Sequence, residues 1–355
     1  AGTCGSMDPG SMRYIGSSTT NSFIDTETTG GYEYAYQVRA ADNSFVSAYT
    51  NCSDVMSNQA CMLPPDFDAA SAAVANNIGA NCSIDLVWPA ASSNCPNVAD
   101  ISYNIYRSTN HNFVAGPGNL LSTVNNTTAF SDVTAAADQP YFYRIEAVNN
   151  NNTSEQSPEL ASTALGNPSA NIGTVSDDVD NSLLMNPSGT WSISNDRASN
   201  GTLSYRSTFE GVPTYTSNTC ARMLSPVLSI PNSGTPSIDY QAWFDIEAEW
   251  DGVVVEISTD GGANWIDLPP VGGYPSDFSQ TLNPPINGCG YPASQGAFGG
   301  LSSGFDPFSH DLSAYLGETV QIRWSFSTDP GFELEGFYID EVNYNGVNTY
   351  DQCND

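Results

Sequence analysis

The stretch 238-IDYQAWFDIEAEWDGVVVEISTDGGANWIDL-268 opens in strict alternation. Ile238, Tyr240, Ala242, Phe244 and Ile246 fall on one face of an extended chain, and Asp239, Gln241, Trp243, Asp245 and Glu247 fall on the other. A period of two is the pattern of a half-buried strand. Val253, Val255 and Ile257 repeat it, with Glu256 on the opposite side. With a turn at 249-EWDG-252, the stretch reads as a hairpin that gathers Asp245, Glu247, Asp251 and Glu256 on one side. Carboxylates so close repel one another. Either water screens an open acidic face, or a cation sits among them. Ca²⁺ takes six to eight oxygens in flexible geometry, so an all-carboxylate set suits it. Asp340, within 335-EGFYIDE-341, is a further candidate ligand. A loop with solvated acids is the other reading of that segment.

Working outward, the strand candidates around this stretch include 189–194, 203–209, 221–230, 319–328 and 337–345. They make up roughly eight strands with long loops, which predicts a jelly-roll sandwich over 167–355. The order of 224-LSPVLSIP-231, W-F-D-I-E, 251-DGVVVEISTDGGANW-265, 311-DLSAYLGETVQIRWSFSTD-329 and 335-EGFYIDEV-342 resembles the MAM-like modules of secreted bacterial metalloproteases and surface proteins, of the immune inhibitor A type. The resemblance implies a non-catalytic module and, from several relatives, calcium binding.

The N-terminal half contains a repeat. Residues 127-TTAFSDVTAAADQPYFYRIEAVNN-150 match 20-TNSFIDTETTGGYEYAYQVRAADN-43 at an offset of 107 positions. Upstream of the later copy, 82-CSIDLVW-88 and 101-ISYNIYRS-108 read as strands. This layout resembles the fibronectin type III fold over residues 63–166. Trp88 would be its core tryptophan, and Tyr141 its tyrosine corner. Residues 1–62 form an incomplete unit of the same kind. Cys4 matches Cys82 at an offset of only 78, so about 29 residues carrying two central strands have no counterpart in the first copy. Three explanations stand: the sequence skips a segment, another chain completes the unit by strand donation, or 1–62 is a degenerate half-domain. The expected fold class is therefore all-β, with fibronectin type III-like sandwiches followed by a jelly roll.

Eight arginines, no lysine and 39 acidic residues give a formal charge of −31. This balance excludes the basic footprint of a nucleic-acid binder and disfavours anionic membrane surfaces. No apolar run reaches the roughly 18 residues of a membrane span. The start, AGTCGSMDPG, has no signal-peptide pattern, so an export signal is expected to have been removed or to lie upstream in a longer precursor.

The eight cysteines form no CxxC pair and there are two histidines, which argues against a zinc cage. An even count in polar β-rich sequence points to disulfides and an exported protein. The expected pairs are Cys52–Cys61, Cys82–Cys95 and Cys220–Cys289, with Cys4 and Cys353 left over.

Ser258–Trp265 fits an Asp-box, S-x-D-x-G-x-x-W, a structural hairpin in which Trp265 is expected to plug the core. His310 beside Asp311 lacks a nucleophile elbow and reads as a surface or turn histidine. No HExxH is present, and no paired acid and nucleophile are evident. Trp243, Trp250, Tyr274 and Tyr291 form either a sugar platform or ordinary packing.

The expected function is non-catalytic binding or adhesion at the cell surface or outside it, within a larger protein. The partner is protein, glycan or further copies of the chain, with Ca²⁺ as stabiliser. The alternative is a structural subunit of an extracellular filament, assembled through the incomplete first unit.

Overall fold

The computed structural model describes residues 2–5, 12–42, 44–68, 73–79, 81–96, 100–136, 139–149, 152–279, 285–351 and 353. The protein is all-β: strands and short 3₁₀ turns occur, and no α-helix is present among the described residues.

The N-terminal unit is slight. Glu33–Tyr36 pairs antiparallel with Ser53–Met56, and no further strand joins this sheet among the described residues. Residues of this unit are missing from the buried apolar clusters, and Phe23, Val38, Phe45 and Tyr49 are exposed.

The middle unit is a sandwich. Val74–Asn76, Ile84–Val87 and Ala129–Asp132 form one sheet. In the other, Ser102–Ser108 lies between Leu120–Asn125 and Pro140–Asn149, and the latter also pairs with Asn152–Gln156 and Leu160–Thr163. Residues alternate inward because the strand period is two. Tyr103, Ile105, Tyr143 and Ile145 therefore meet Ile84, Leu86 and Trp88 across the gap. The Tyr141 hydroxyl accepts a bond from the Ala136 amide at 3.3 Å, a tie back to the preceding corner.

The C-terminal unit is a larger sandwich. One sheet runs through Ser192–Ser194, Ser204–Arg206, Gly336–Tyr350, Ser237–Ile246 and Gly300–Leu301, with Pro168–Asp177 and Asp306–Asp311 attached. The other runs through Asn186–Pro187, Cys220–Leu224, Thr319–Ser327, Gly252–Ser258 and Ile266–Asp267, with Leu228–Ser229 attached. All five apolar positions of the opening alternation are buried in the shared core. The polar row on the same strand stays partly exposed.

Ser237–Ile246 and Gly252–Ser258 do not form the expected hairpin. They belong to opposite sheets. Residues 247–251 are the corner between them, closed by a bond from the Asp251 amide to the Glu247 carbonyl at 3.0 Å. Glu249 bends this corner with φ 70°. Gly252–Ser258 is buried on both faces, because Tyr274, Phe278, Tyr291 and Ala297 pack over its outer side around Val254.

The two sandwiches are joined firmly. Asn77 and Asn186, both buried, exchange bonds: the Asn77 amide donates to Asn186 Oδ1 at 3.0 Å, and Asn186 Nδ2 donates to Asn77 Oδ1 at 3.1 Å. Phe142, Ala161 and Leu165 of the middle unit enter the core of the C-terminal one.

The disulfides are Cys4–Cys52, Cys61–Cys95 and Cys82–Cys353, alongside Cys220–Cys289. Cys52–Cys61 and Cys82–Cys95 are therefore corrected. Proximity follows long-range pairing rather than spacing. Pro168–Asp177 pairs with the end of Gly336–Tyr350, and Asp351 bonds Asn167 at 2.8 Å. Cys82 bonds Leu165 at the same junction, so Cys353 arrives beside it. Cys61 instead leaves the first unit toward Cys95 of the next, and Cys4 takes Cys52 as its partner.

Candidate metal centre

The corner at 247–251 builds the centre. An i to i+4 turn brings Glu247 and Asp251 together, and strand register adds a third acid. Gly252 lies opposite Ser327, so the residues just beyond that pair, including Asp329, run alongside the corner. One carboxylate oxygen from each of Glu247, Asp251 and Asp329 lies within 4.8 Å of the others. Asp251 is 2% exposed and Asp329 is also buried. The Asp329 amide donates to Asp251 Oδ1 at 2.6 Å, and Gly331 donates to Asp329 Oδ1 at 2.8 Å.

Asp251 Oδ2 has no hydrogen-bond partner although it is shut from water. Burial pushes the Asp251 carboxyl up to about 7, and the charges of Asp329 and Glu247 add to the rise. The Asp329 amide and the nearby Tyr215 hydroxyl temper it. That hydroxyl also donates to the Phe332 carbonyl at 3.1 Å and accepts from the Glu247 amide at 3.2 Å. Glu247 is also raised, by desolvation and then by Asp329. Three carboxylates, one of them with an orphaned buried oxygen, fit a hard divalent cation; with no nitrogen or sulfur in the set, such an ion is favoured over zinc or copper.

The other sequence candidates lie elsewhere. Asp245 sits on the outer face near Arg197 and Glu335; desolvation first and Glu335 second raise its carboxyl. Glu256 is on the outer face of the opposite sheet, and is corrected as a ligand. Arg323 Nε and Nη2 donate to it at 2.7 and 3.1 Å, and Tyr291 and Ser325 each donate at 2.8 Å. Burial opposes its charge, but these donors outweigh burial and hold the carboxyl below its usual range. Asp340 is buried at a register shift in the Gly336–Tyr350 strand, where it accepts from the Ser199, Asn200 and Glu341 amides. Its oxygens serve backbone, so it too is corrected as part of a shared cation site. Glu256→Gln is expected to cost about 1–2 kcal/mol in thermal unfolding by weakening a charge-assisted pair, while any calcium-induced shift stays intact.

His310 is buried, not at the surface. One ring nitrogen faces the Leu268 carbonyl at 2.8 Å and the other faces the Tyr240 hydroxyl at 2.9 Å. The expected turn histidine is thus a core residue, reached because Asp306–Asp311 pairs with Ser237–Ile246 and turns His310 inward. Desolvation lowers its pKa to about 4 from 6.5. The unfolded chain binds the extra proton between these values. Stability is therefore expected to fall as pH drops from about 6.5 to about 4, by about 3 kcal/mol. Melting across that window checks it, with His310→Gln flattening the slope.

The Asp-box holds its turn as expected. Asp260 accepts from Ser258 and Asn264 at 2.7–2.9 Å, with Gly261 and Gly262 at positive φ. Trp265, however, does not plug the core. It is half-buried under the Arg323 guanidinium, 4.3 Å from its ring centre. Tyr274 and Tyr291 pack in the small cluster around Phe278, and Trp243 lies on the other sheet beneath Arg197 at 3.8 Å, so these aromatics do not share a platform.

A shallow groove of about 550 Å³ crosses the outer face of the larger sheet, lined by Asp239, Gln241, Ser309, Glu341 and Asn343.

Residues 210–351 match the family model described as the immune inhibitor A-like MAM domain. The pre-pro-metalloprotease PrtV of Vibrio cholerae serotype O1 is 31% identical over 124 residues, covering 34% of this chain and 11% of the protease. Bacillopeptidase F of Bacillus subtilis is 23% identical over 128 residues, covering 36% of this chain and 7% of that protein. The chain thus spans a small fraction of these relatives. A solved carbohydrate-binding module of the β-sandwich superfamily aligns over 82% of this chain and 99% of its own, at 9% identity and a TM-score of 0.24.

Proposed function

We propose that this chain is a non-catalytic, calcium-stabilised binding module of an exported protein. The observation that carries the reading is the cluster of Glu247, Asp251 and Asp329, in which the buried Asp251 keeps one oxygen, Oδ2, without a hydrogen-bond partner. A bound cation offsets a repulsion that water cannot reach there. The ion would pin the corner linking the two sheets to the end of Thr319–Ser327, stiffening the sandwich rather than taking part in a reaction.

The match to the immune inhibitor A-like MAM model, the partial likeness to the pre-pro-metalloprotease PrtV and to Bacillopeptidase F, and the four disulfides support an extracellular accessory role. We read the middle sandwich as fibronectin type III-like, supported by the Trp88 core and the Tyr141 corner. The open groove, with carboxylates and amides at Asp239, Gln241, Glu341 and Asn343, suits a hydroxyl-rich surface glycan. Titrating calcium into chelator-treated protein and following both heat and melting temperature tests the reading. Saturable binding with a rise in melting is expected; no heat and no rise would remove the calcium claim.

A further inference from the structure

The N-terminal unit repeats part of the middle sandwich bond for bond. Glu33–Tyr36 pairs with Ser53–Met56 in the register in which Pro140–Tyr143 pairs with Leu160–Thr163, every position displaced by 107. The Tyr36 hydroxyl donates to Asp25 at 3.0 Å, and the Tyr143 hydroxyl donates to Asp132 at 2.8 Å. The Val38 amide donates to Thr50 Oγ1 at 3.0 Å, as Ile145 does to Ser157 Oγ at 3.0 Å. Ala40 donates to Ser47 Oγ at 2.9 Å, as Ala147 does to Ser154 Oγ at 2.9 Å. The first unit is therefore the same strand pair, held by the same side chains.

The two units differ at the other edge of this strand pair. In the middle unit the other edge of Pro140–Asn149 is covered by Ser102–Ser108, with Tyr103 opposite Ala147 and Ile105 opposite Ile145. In the first unit no strand covers the corresponding edge among the described residues. The Gly2 amide donates to the Glu33 carbonyl at 2.8 Å, at the end of this edge. Ile145 is 0% exposed, whereas its counterpart Val38 is 66% exposed. An edge of this kind is a template for an added strand.

The middle unit shows what the edge accepts: an antiparallel strand with aromatic and aliphatic residues at alternate positions. The edge strand meets that description itself, through Tyr34, Tyr36 and Val38. Its charges are also self-complementary. When Tyr36 faces its own copy in an antiparallel pair, Tyr34 faces Val38, Ala35 faces Gln37 and Glu33 faces Arg39. The apolar residues then share one face, and the two Glu33–Arg39 pairs share the other. Six of the eight arginines have a carboxylate within ion-pair distance; Arg39 does not among the described residues, in a chain of charge −31. Its guanidinium rests on the Tyr49 ring, 5.0 Å from the centre. Glu33 is exposed and also lacks an ion-pair partner among the described residues.

We propose that the edge of the Glu33–Tyr36 strand that no strand covers among the described residues seats a second copy of this chain, joined antiparallel about a two-fold axis at Tyr36, with Glu33 of each copy opposite Arg39 of the other. The contact is isologous, so it closes as a dimer. It is independent of the calcium centre, and the test is run in chelator so that the two readings stand or fall apart.

Sedimentation of the intact protein over a concentration series, at ~0.15 M salt to screen the acidic surfaces beyond ~8 Å, is the measurement. The mass is expected to move from 37.7 kDa toward twice that value. Arg39→Glu sets like charges opposite each other and should weaken the dimer at least about tenfold. Combining it with Glu33→Arg exchanges the charges and should restore the dimer. A monomer at every concentration, a dimer indifferent to Arg39→Glu, or a charge-exchanged variant that stays monomeric each overturns the proposal; the first leaves the edge to a strand from another protein. Hydrogen exchange of the unaltered protein gives a second reading. Protection of the Ala35 and Gln37 amides should rise with concentration, and exchange that ignores concentration overturns the proposal.

Discussion

Asp251→Asn is expected to abolish the calcium-induced rise in melting temperature and, in chelator, to melt above the unaltered protein. Both results come from one oxygen. In the metal-free protein, burial and two neighbouring carboxylates push Asp251 up to about 7 from 3.8. A carboxyl raised on folding contributes stability that is full below its unfolded value and is lost as pH rises through its folded value. At pH above about 7 the metal-free centre therefore costs up to about 4 kcal/mol. The asparagine carries no charge. Its oxygen still accepts the Asp329 amide, and its nitrogen donates toward the Glu247 and Asp329 carboxylates. Calcium acts in the opposite sense, stabilising the native state by about 2.7 kcal/mol at a hundredfold excess over its dissociation constant. Scanning calorimetry of both proteins, with calcium and with chelator, at pH 5 and pH 8 checks the pair of signs. An Asp251→Asn protein that still gains stability from calcium would place the ion elsewhere.

Removal of the Cys82–Cys353 bridge, by serine at both positions, is the other large effect. The bridge closes a loop with a sequence separation of 271 residues. The chain-entropy model puts the loss near ~5 kcal/mol for a loop of this length, assuming unchanged native packing. The bridge also fastens the middle sandwich to the terminal strand of the C-terminal one. Without it, the junction rests on the Asn77–Asn186 exchange and on the packing of Phe142, Ala161 and Leu165. The single thermal transition expected of the intact pair should broaden or split, with the middle sandwich melting first because its buried cluster is the smaller. Calorimetry of the double serine variant would show this. One unchanged transition would mean that the noncovalent junction alone couples the units.

The acidic face is an instructive partial reading. Glu247 and Asp251 were legible as a pair, since four residues across any tight corner bring side chains together. Glu256 was placed on the correct side of its own strand but on the wrong side of the molecule. The apolar run 252–258 is compatible with a hairpin and with a crossing to the opposite sheet, and no local signal separates the two. Asp329 lies 78 positions from Asp251, and only the pairing of Gly252 with Ser327 reveals it. His310 likewise has the local signature of a turn residue, and only the pairing of Asp306–Asp311 with Ser237–Ile246 turns it inward.

The sequence by itself determined the period-two strands, the inward row Ile238, Tyr240, Ala242, Phe244 and Ile246, and the repeat at an offset of 107 that aligns Asp25 and Tyr36 with Asp132 and Tyr143. These are consequences of backbone geometry within a few residues, or of direct resemblance between segments. The tertiary structure alone decided which sheet each strand joins, which cysteines meet, and that the third carboxylate is Asp329. Such pairings depend on the free energy of register between distant strands, which the whole core sets and no short window of residues contains.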